Sequence, residues 1–283
     1  MKSGFLLIDK KEGMTSQHID YLVKKNLDQK KVGHLGTLDP FATGLLLIGV
    51  NDATKLFPFF EDSEKTYTAT LTLGKQTDTL DCFGKIINEQ QIKPFSRETI
   101  KTVLNSFLGE QEQIPPKYSA IHIDGKRAYE LAQKNISFEM KKRKIKIYSL
   151  DLLSYDENSL SFRAKVSKGT YIRTLGQDIA SKLGNLGYLT SLRRNSIGTF
   201  DEKDALQIEK ITAESLIPMN KLLKFPTKEI EDSSLKFAEN GNRFFFKNET
   251  HPFLFLSHKN HLLGLYKRKD DGYYYCHKGF THE

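Results

Sequence analysis

Cysteine is almost missing from this chain: Cys82 and Cys276 are the only two, far apart and without CxxC spacing. A disulfide framework and a zinc knuckle are therefore not expected, and both are read as free thiols. Long apolar runs are missing too. No stretch reaches the roughly 18 to 20 residues that cross a bilayer, and the apolar part of MKSGFLLIDKKEG is too short for a secretory signal. The expectation is no membrane association and a cytoplasmic location. The sequence contains no GxxxxGK[ST], no GxGxxG and no HExxH, so nucleotide hydrolysis, dinucleotide binding and zincin chemistry have no support. His258, His261, Cys276 and His277 form the only metal-like grouping, and their spacing fits no common zinc pattern. No metal is expected, and no internal repeat or low-complexity tract is found.

What is present is an apolar fraction of 38% with 11% aromatics over 283 residues, enough for one large domain and a small one. The formal charge of +8 favours a polyanionic partner, because each cation that neutralises a phosphate releases condensed counterions. The run KKRKIK, Lys141 to Lys146, packs five cations into six positions, while Lys117, Lys126 and Arg127 flank another segment. The run reads equally as phosphate contact or as a solvated strand edge protected by charge.

The most informative stretch is GHLGTLDPFATGLLLIGV, Gly33 to Val50, which sets one acid, Asp39, in a glycine-rich turn just before an apolar run. Gly33, Gly36 and Gly44 open turn conformations closed to other residues, and Pro40 restrains Asp39 toward extended geometry. A carboxylate there is presented, not buried. By composition alone it is more often an ordinary turn into a strand than a catalytic loop.

Around it, Phe5 to Asp9 reads as a strand, and Thr15 caps a helix with Ile19, Leu22, Val23 and Leu27 on one stripe. Lys65 to Leu73 alternates as a strand with Tyr67, Ala69, Leu71 and Leu73 on its buried face. Ser96 to Leu108 reads as a helix closed by Gly109, Lys144 to Tyr155 and Leu160 to Val166 as paired strands, Tyr171 to Leu183 as a helix ending at Gly184, and Thr190 to Phe200 as a strand. Without a strict βαβ rhythm, the mixture argues for an α+β domain on a mostly antiparallel sheet. The polar segment FPTKEIEDSS, Phe225 to Ser234, divides the chain into residues 1–224 and a short β-rich tail, 225–283, that is too small for an independent core and so docks on the rest.

The Asp39 loop and DKKEGMTS (Asp9 to Ser16), followed in order by KTYTATLTLG, QTDTLDCFG, IPPKYSAIHIDGKRAYELA, SKGTYIRTLGQDIA and YLTSLRRNSIG, closely resemble the TruB-type tRNA pseudouridine synthases. The resemblance implies a pseudouridine synthase fold, a mostly antiparallel mixed sheet flanked by helices, ending in a shortened PUA-like RNA-binding domain. It implies a monomeric, cofactor-independent isomerase that converts uridine 55 in the T loop of tRNA to pseudouridine on a flipped-out nucleotide. Asp39 matches the essential catalytic aspartate. A sugar adduct, addition to the pyrimidine ring and removal of a sugar proton all remain open as its route, and a carboxylate suits them because glycosidic cleavage builds positive character on the sugar.

Arg173 matches the arginine that pairs with that aspartate and holds it oriented. Tyr67 matches the tyrosine that stacks on the flipped uracil and can remove the C5 proton, and Leu192 an apolar residue lining the same pocket. His34 matches a histidine that lies against the flipped nucleotide, a binding role and not a general base. Lys10 and Lys55 match positions expected to meet phosphates, and Asp81 one that orders loop or RNA contacts. Two rivals are an RNA chaperone that folds tRNA, alone or as a secondary role, and a retaining N-glycoside hydrolase. The second needs a paired carboxylate that no motif presents beside Asp39.

Overall fold

The computed structural model describes residues 2–281; Met1, His282 and Glu283, the outermost positions of the two expected segments, lie outside the described residues. The first strand, β1 (Gly4–Lys10), is buried at nearly every position, as its unbroken apolar run requires. The Thr15 hydroxyl accepts from the His18 N–H and starts α1 (Ser16–Asn26), which buries Ile19 and Val23. Strands β2 (Val32–Leu35) and β3 (Thr43–Val50) bracket the Asp39 loop, and β3 pairs antiparallel with both β1 and β2. A 3-10 segment, Asn51–Phe59, leads to β4 (Lys65–Leu73), whose side chains alternate strictly between buried and half-buried.

Short strands β5 (Lys75–Thr77) and β6 (Ile86–Glu89) pair with each other and frame the turn that carries Asp81. Helix α2 (Arg97–Asn105) is capped by Ser96 and stops short of the expected Leu108, since Gly109 at φ +95° already opens β7 (Gly109–Gln113). A minimal pair, β8 (His122–Ile123) and β9 (Lys126–Arg127), precedes α3 (Ala128–Gln133). Then come the long antiparallel partners β10 (Arg143–Tyr155) and β11 (Ser159–Val166), and α4 (Ile172–Lys182), closed by Gly184 at φ +74°. Strand β12 (Gly187–Ile197) starts earlier than expected and breaks at Gly198, φ +54°, before β13 (Phe200–Asp201).

These strands make a nine-stranded sheet in the order β1-β3-β12-β4-β11-β10-β7, with β2 on β3 and β13 on β12. Every pair is antiparallel except β12 with β3. Residues of α2 and α4 cover one face, over Tyr67, Ala69, Leu71 and Leu73 of β4 and Leu189 and Leu192 of β12. On the other face the threonines of β4 bond across strands, Thr70 with Ser161 at 2.9 Å and Thr72 with Thr190 at 3.0 Å. The alternation in β4 thus separates a helix-covered face from one built of cross-strand hydroxyl pairs. At the parallel contact Gly44 (φ +97°) faces the backbone of Arg194, and a Cβ there would fall 2.4 Å from its carbonyl oxygen. Only glycine lets the loop lie that close.

Helix α5 (Met219–Leu223) ends in Lys224 at φ +44°. Beyond it, β14 (Thr227–Glu229), α6 (Leu235–Glu239), β15 (Phe253–His258), β16 (His261–Arg268) and β17 (Tyr274–Gly279) build a separate four-stranded sheet. Leu254 and Leu256 face a local core with Tyr266 and Tyr274, while the intervening Phe255 joins Leu265 and Phe280 against Phe5, Leu47 and Phe60. The tail packs on the first sheet through residues of β15, β16 and the segment after β17, with alternate residues of β15 facing the two cores.

Candidate active site

Helix α4 delivers Arg173 from its first turn, and a buried amide fixes how the chain enters it. Gln113 of β7 accepts from the Tyr171 N–H at 2.8 Å and donates to the Tyr171 carbonyl at 3.0 Å. Arg173, 3% exposed, then meets both oxygens of Asp39: Nε lies 2.8 Å from Oδ2 and Nη2 donates to Oδ1 at 2.9 Å. The remaining donors are taken. Nη2 also reaches the Tyr118 carbonyl at 2.8 Å, and Nη1 the Thr79 carbonyl at 2.8 Å and Asp81 Oδ2 at 3.4 Å. The guanidinium cannot turn away from Asp39 without losing bonds to three other residues, whereas the Asp39 side chain stays 32% exposed on its far side.

The loop itself is pinned on its backbone. Ser16, first residue of α1, exchanges hydrogen bonds with Leu38, accepting from its N–H at 2.9 Å and donating to its carbonyl at 3.2 Å. Arg194, 1% exposed, donates to the carbonyls of Gly36 (2.9 Å) and Leu45 (2.7 Å). The fully buried Lys10 ammonium donates to Pro40 (3.2 Å), Met14 (2.7 Å) and Lys11 (3.0 Å). Burial lowers the Lys10 pKa to about 8; attraction to Asp39 opposes that and repulsion from Arg194 adds to it. Lys65, also buried, is lowered to about 8 by desolvation and then by Arg194. Lys10 and Arg194 therefore hold two carbonyls of the loop that presents Asp39, Pro40 and Gly36, and Arg194 a third in β3, Leu45.

Tyr67 and Leu192 lie in one apolar cluster with Leu38, Phe41 and Ala42, so they border the Asp39 loop. Asp81 sits on the other side of Arg173, accepting from Thr79 Oγ1 at 2.7 Å and the Phe83 N–H at 3.0 Å. Burial raises its pKa, against these bonds and the Arg173 charge. Asp81 is a second carboxylate beside Asp39, which the motifs did not disclose, yet it is buried and its oxygens are engaged.

Other expected residues stand apart. His34 pairs with Asp20 Oδ2 at 2.7 Å and Thr37 Oγ1 at 3.0 Å, contacts that leave Asp39 untouched. Phosphate contact by Lys10 is overturned, since its ammonium is fully buried among carbonyls. Lys55 is also corrected. It bonds Asp52 at 2.6 Å and the Gly279 carbonyl at 2.7 Å, and Asp52 accepts from Thr281, so the lysine secures the second sheet to the first. In KKRKIK, Lys144 and Lys146 lie opposite Glu112 and Glu110 of β7, and Lys142 approaches Glu112 at 3.4 Å. The run leads into the strand inside the edge, and two glutamates of the edge strand face it. Among the described residues no group of three or more His, Cys, Asp or Glu could hold a metal ion, and no helix is long and apolar enough to cross a membrane.

Arg194, Gln113, Ser16 and the structural use of Lys10 escaped the sequence reading. Arg194 stands in the RR of YLTSLRRNSIG, where its neighbour Arg193 pairs with Asp9 and Glu202. Only strand alternation, with Leu192 and Arg194 on one face, signals the burial.

Comparison with known proteins agrees with this geometry. Residues 24–172 match the TruB family pseudouridylate synthase N-terminal domain. The tRNA pseudouridine synthase B of Mesoplasma florum is 39% identical over 282 residues, 98% of each chain. That of Borrelia garinii subsp. bavariensis is 42% identical over 243 residues, 85% of this chain and 86% of the relative. Among solved structures, an H/ACA RNP bound to a substrate RNA containing 2'-deoxyuridine superposes with a TM-score of 0.66 at 21% identity, covering 99% of this chain and 85% of the other. An archaeal box H/ACA sRNP complex gives 0.65 at 22% identity, covering 98% and 86%. The class so defined is the pseudouridylate synthases, here an α+β fold with an arginine-paired aspartate on a loop beside the central sheet. Within that class, the chain belongs to the TruB family of pseudouridylate synthases.

Proposed function

We propose that this enzyme isomerises the T-loop uridine of tRNA, conventionally position 55, to pseudouridine, acting as a cytoplasmic monomer without a cofactor. In that reaction the glycosidic C–N bond breaks, the uracil turns, and a C–C bond forms to C5; C5 loses a proton and the freed N1 gains one. Asp39 is the catalytic group, as nucleophile or base. The single observation that carries this is the Asp39–Arg173 ion pair, in which Nη2 donates to Oδ1 and Nε lies 2.8 Å from Oδ2, with the carboxylate still partly exposed. A preorganised ion pair of this kind stabilises charge developing on the sugar without reorganising at the moment of reaction.

Arg173 orients Asp39, and Asp81 with the Thr79 and Tyr118 carbonyls orients Arg173. Tyr67 stacks on the flipped uracil beside Leu192, stacking being worth roughly 1 to 3 kcal/mol per base against a few kcal/mol of unstacking. His34 lies against the nucleotide as a binding residue. Residues 1–224 form the catalytic domain, and 225–283 a short PUA-like module that contacts RNA phosphate and sugar. Hydrolysis is disfavoured because Asp81, the one carboxylate beside Asp39, is buried and engaged and has no route to a leaving group.

Tritium release from tRNA labelled at uridine C5 tests the proposal. Release without free uracil, abolished by Asp39→Asn and by a tRNA with cytidine at position 55, is the expected result. Free uracil would indicate a hydrolase, and tight binding without release a chaperone.

A further inference from the structure

One aromatic ring beside this site has no task in the reaction above. Phe83 is 55% exposed, which forgoes much of the roughly 1.5 to 3 kcal/mol that burying such a side chain contributes. It is nonetheless held firmly. Its N–H donates to Asp81 Oδ1 at 3.0 Å, so the carboxylate that touches Arg173 also sets the backbone of Phe83. The turn around it is cross-bonded by Thr77 Oγ1 to the Asp81 carbonyl (2.8 Å), the Gly84 N–H to the same carbonyl (3.2 Å) and the Lys85 N–H to Asp78 Oδ1 (2.8 Å). It is also closed too tightly for a side chain at Gly84, where a Cβ would fall 2.2 Å from Thr79 Oγ1.

The ring leans on Phe41, with centroids 6.3 Å apart at a tilt of 58°. Phe41 is buried and lies two residues beyond Asp39. Phe83 is therefore braced from below by a core ring of the Asp39 loop, fixed laterally by a carboxylate of the Arg173 cluster, and open above.

We propose that Phe83 is a stacking platform for an unpaired base next to the uridine that Asp39 engages. The proposal rests on the T-loop reading and adds to it a contact outside the pocket of Tyr67. Extruding one nucleotide from a loop leaves its neighbours without their stacking partners, and single-stranded bases are held by exposed aromatic faces. A ring on a rigid turn loses little freedom when a base settles on it, so most of the stacking energy appears as affinity. Every base has a π face, so Phe83 contributes binding without selecting sequence.

The sequence contains no tryptophan, so Phe83→Trp introduces a single indole reporter at the platform. Its emission is expected to be quenched by unmodified tRNA and much less by a perfect RNA duplex of equal length. Phe83→Ala is expected to raise KM for tRNA about tenfold, with a smaller change in kcat, and Phe83→Tyr to restore it. A Phe83→Ala protein of lower melting temperature but unchanged KM, or a Phe83→Trp emission unmoved by saturating tRNA, would make the ring a cover for Phe41 and overturn the platform. Wild-type tritium release, measured alongside, separates the two readings. If the T-loop uridine is not converted, the functional proposal fails; if it is converted while both Phe83 readouts stay flat, only the platform fails.

Discussion

The surroundings of Asp39 and the β10–β7 edge both gather charged side chains, and they use charge in opposite ways. At the edge, lysines and glutamates face one another across strands and stay largely exposed, as Lys142 and Glu112 do at 62% and 60%. Around Asp39, Arg173, Arg194, Lys10 and Lys65 are all buried. Pairs of the first kind contribute about 0 to 1 kcal/mol each and are screened by salt. Cations of the second kind carry a desolvation cost that only full hydrogen bonding offsets, so the fold retains them where they fix backbone and carboxylate geometry. A dense run of like charge in sequence is thus a poor guide to where chemistry resides.

The largest expected effect is at Asp39. Asp39→Asn should lower turnover on the order of 10⁴-fold in single-turnover tritium release, as losing a residue that acts on the reacting atoms does, while the melting temperature shifts little because Arg173 keeps Tyr118, Thr79 and Asp81. Next, Arg173→Met should cost about 3 to 5 kcal/mol in urea unfolding, since it leaves Asp81 buried without its counter-charge. Arg173→Lys should recover part of that stability but not the rate, because a single ammonium cannot reach Asp39, Tyr118, Thr79 and Asp81 at once as the guanidinium does.

A pH-dependent signature is expected from the buried lysines alone. Lys10 and Lys65 have folded pKa values of about 8, below the ordinary 10.5. The folded state therefore binds fewer protons than the unfolded one between those values. The penalty for burying the charge is complete below pH 8 and is relieved as pH climbs to 10.5, so stability from these groups rises across that window. Lys65→Met should remove its share, on the order of 1 to 3 kcal/mol, seen as a flatter difference in unfolding free energy between pH 7.5 and 10. The smallest effect is at the edge. Lys142→Ala should change the Kd for tRNA by about twofold or less and the salt slope by less than one ion; a tenfold loss would erase the contrast between the two regions.

Local signals in the sequence were enough for most elements. The Thr15 cap, the alternation of β4 and the glycine after α4 each depend on neighbours within a few residues, and each is found where expected. Ends were misjudged where a distant partner decides them, as in α2, which yields early to β7 pairing with β10, and β12, which starts early at Gly187 by pairing with Leu73 of β4. In the site, the meeting of Asp39 with Arg173 was legible from family motifs alone. The second carboxylate, Asp81, and the buried supports Lys10 and Arg194 were not, because a charged side chain carries no local mark of burial. Each is placed by a distant partner: Lys10 by β1 pairing with β3, Asp81 by its bridge to Leu189, and Arg194 by β12 lying parallel to β3, segments roughly 150 residues apart.

That separation also sets when the site comes into being. During synthesis the aspartate loop and its tyrosine strand leave the ribosome first, but the arginine that orients the acid lies 134 residues downstream, and the strand that clamps the loop follows later still. A nascent chain halted before α4 therefore displays Asp39 without Arg173, and the ion pair forms only once the segment carrying α4 has emerged.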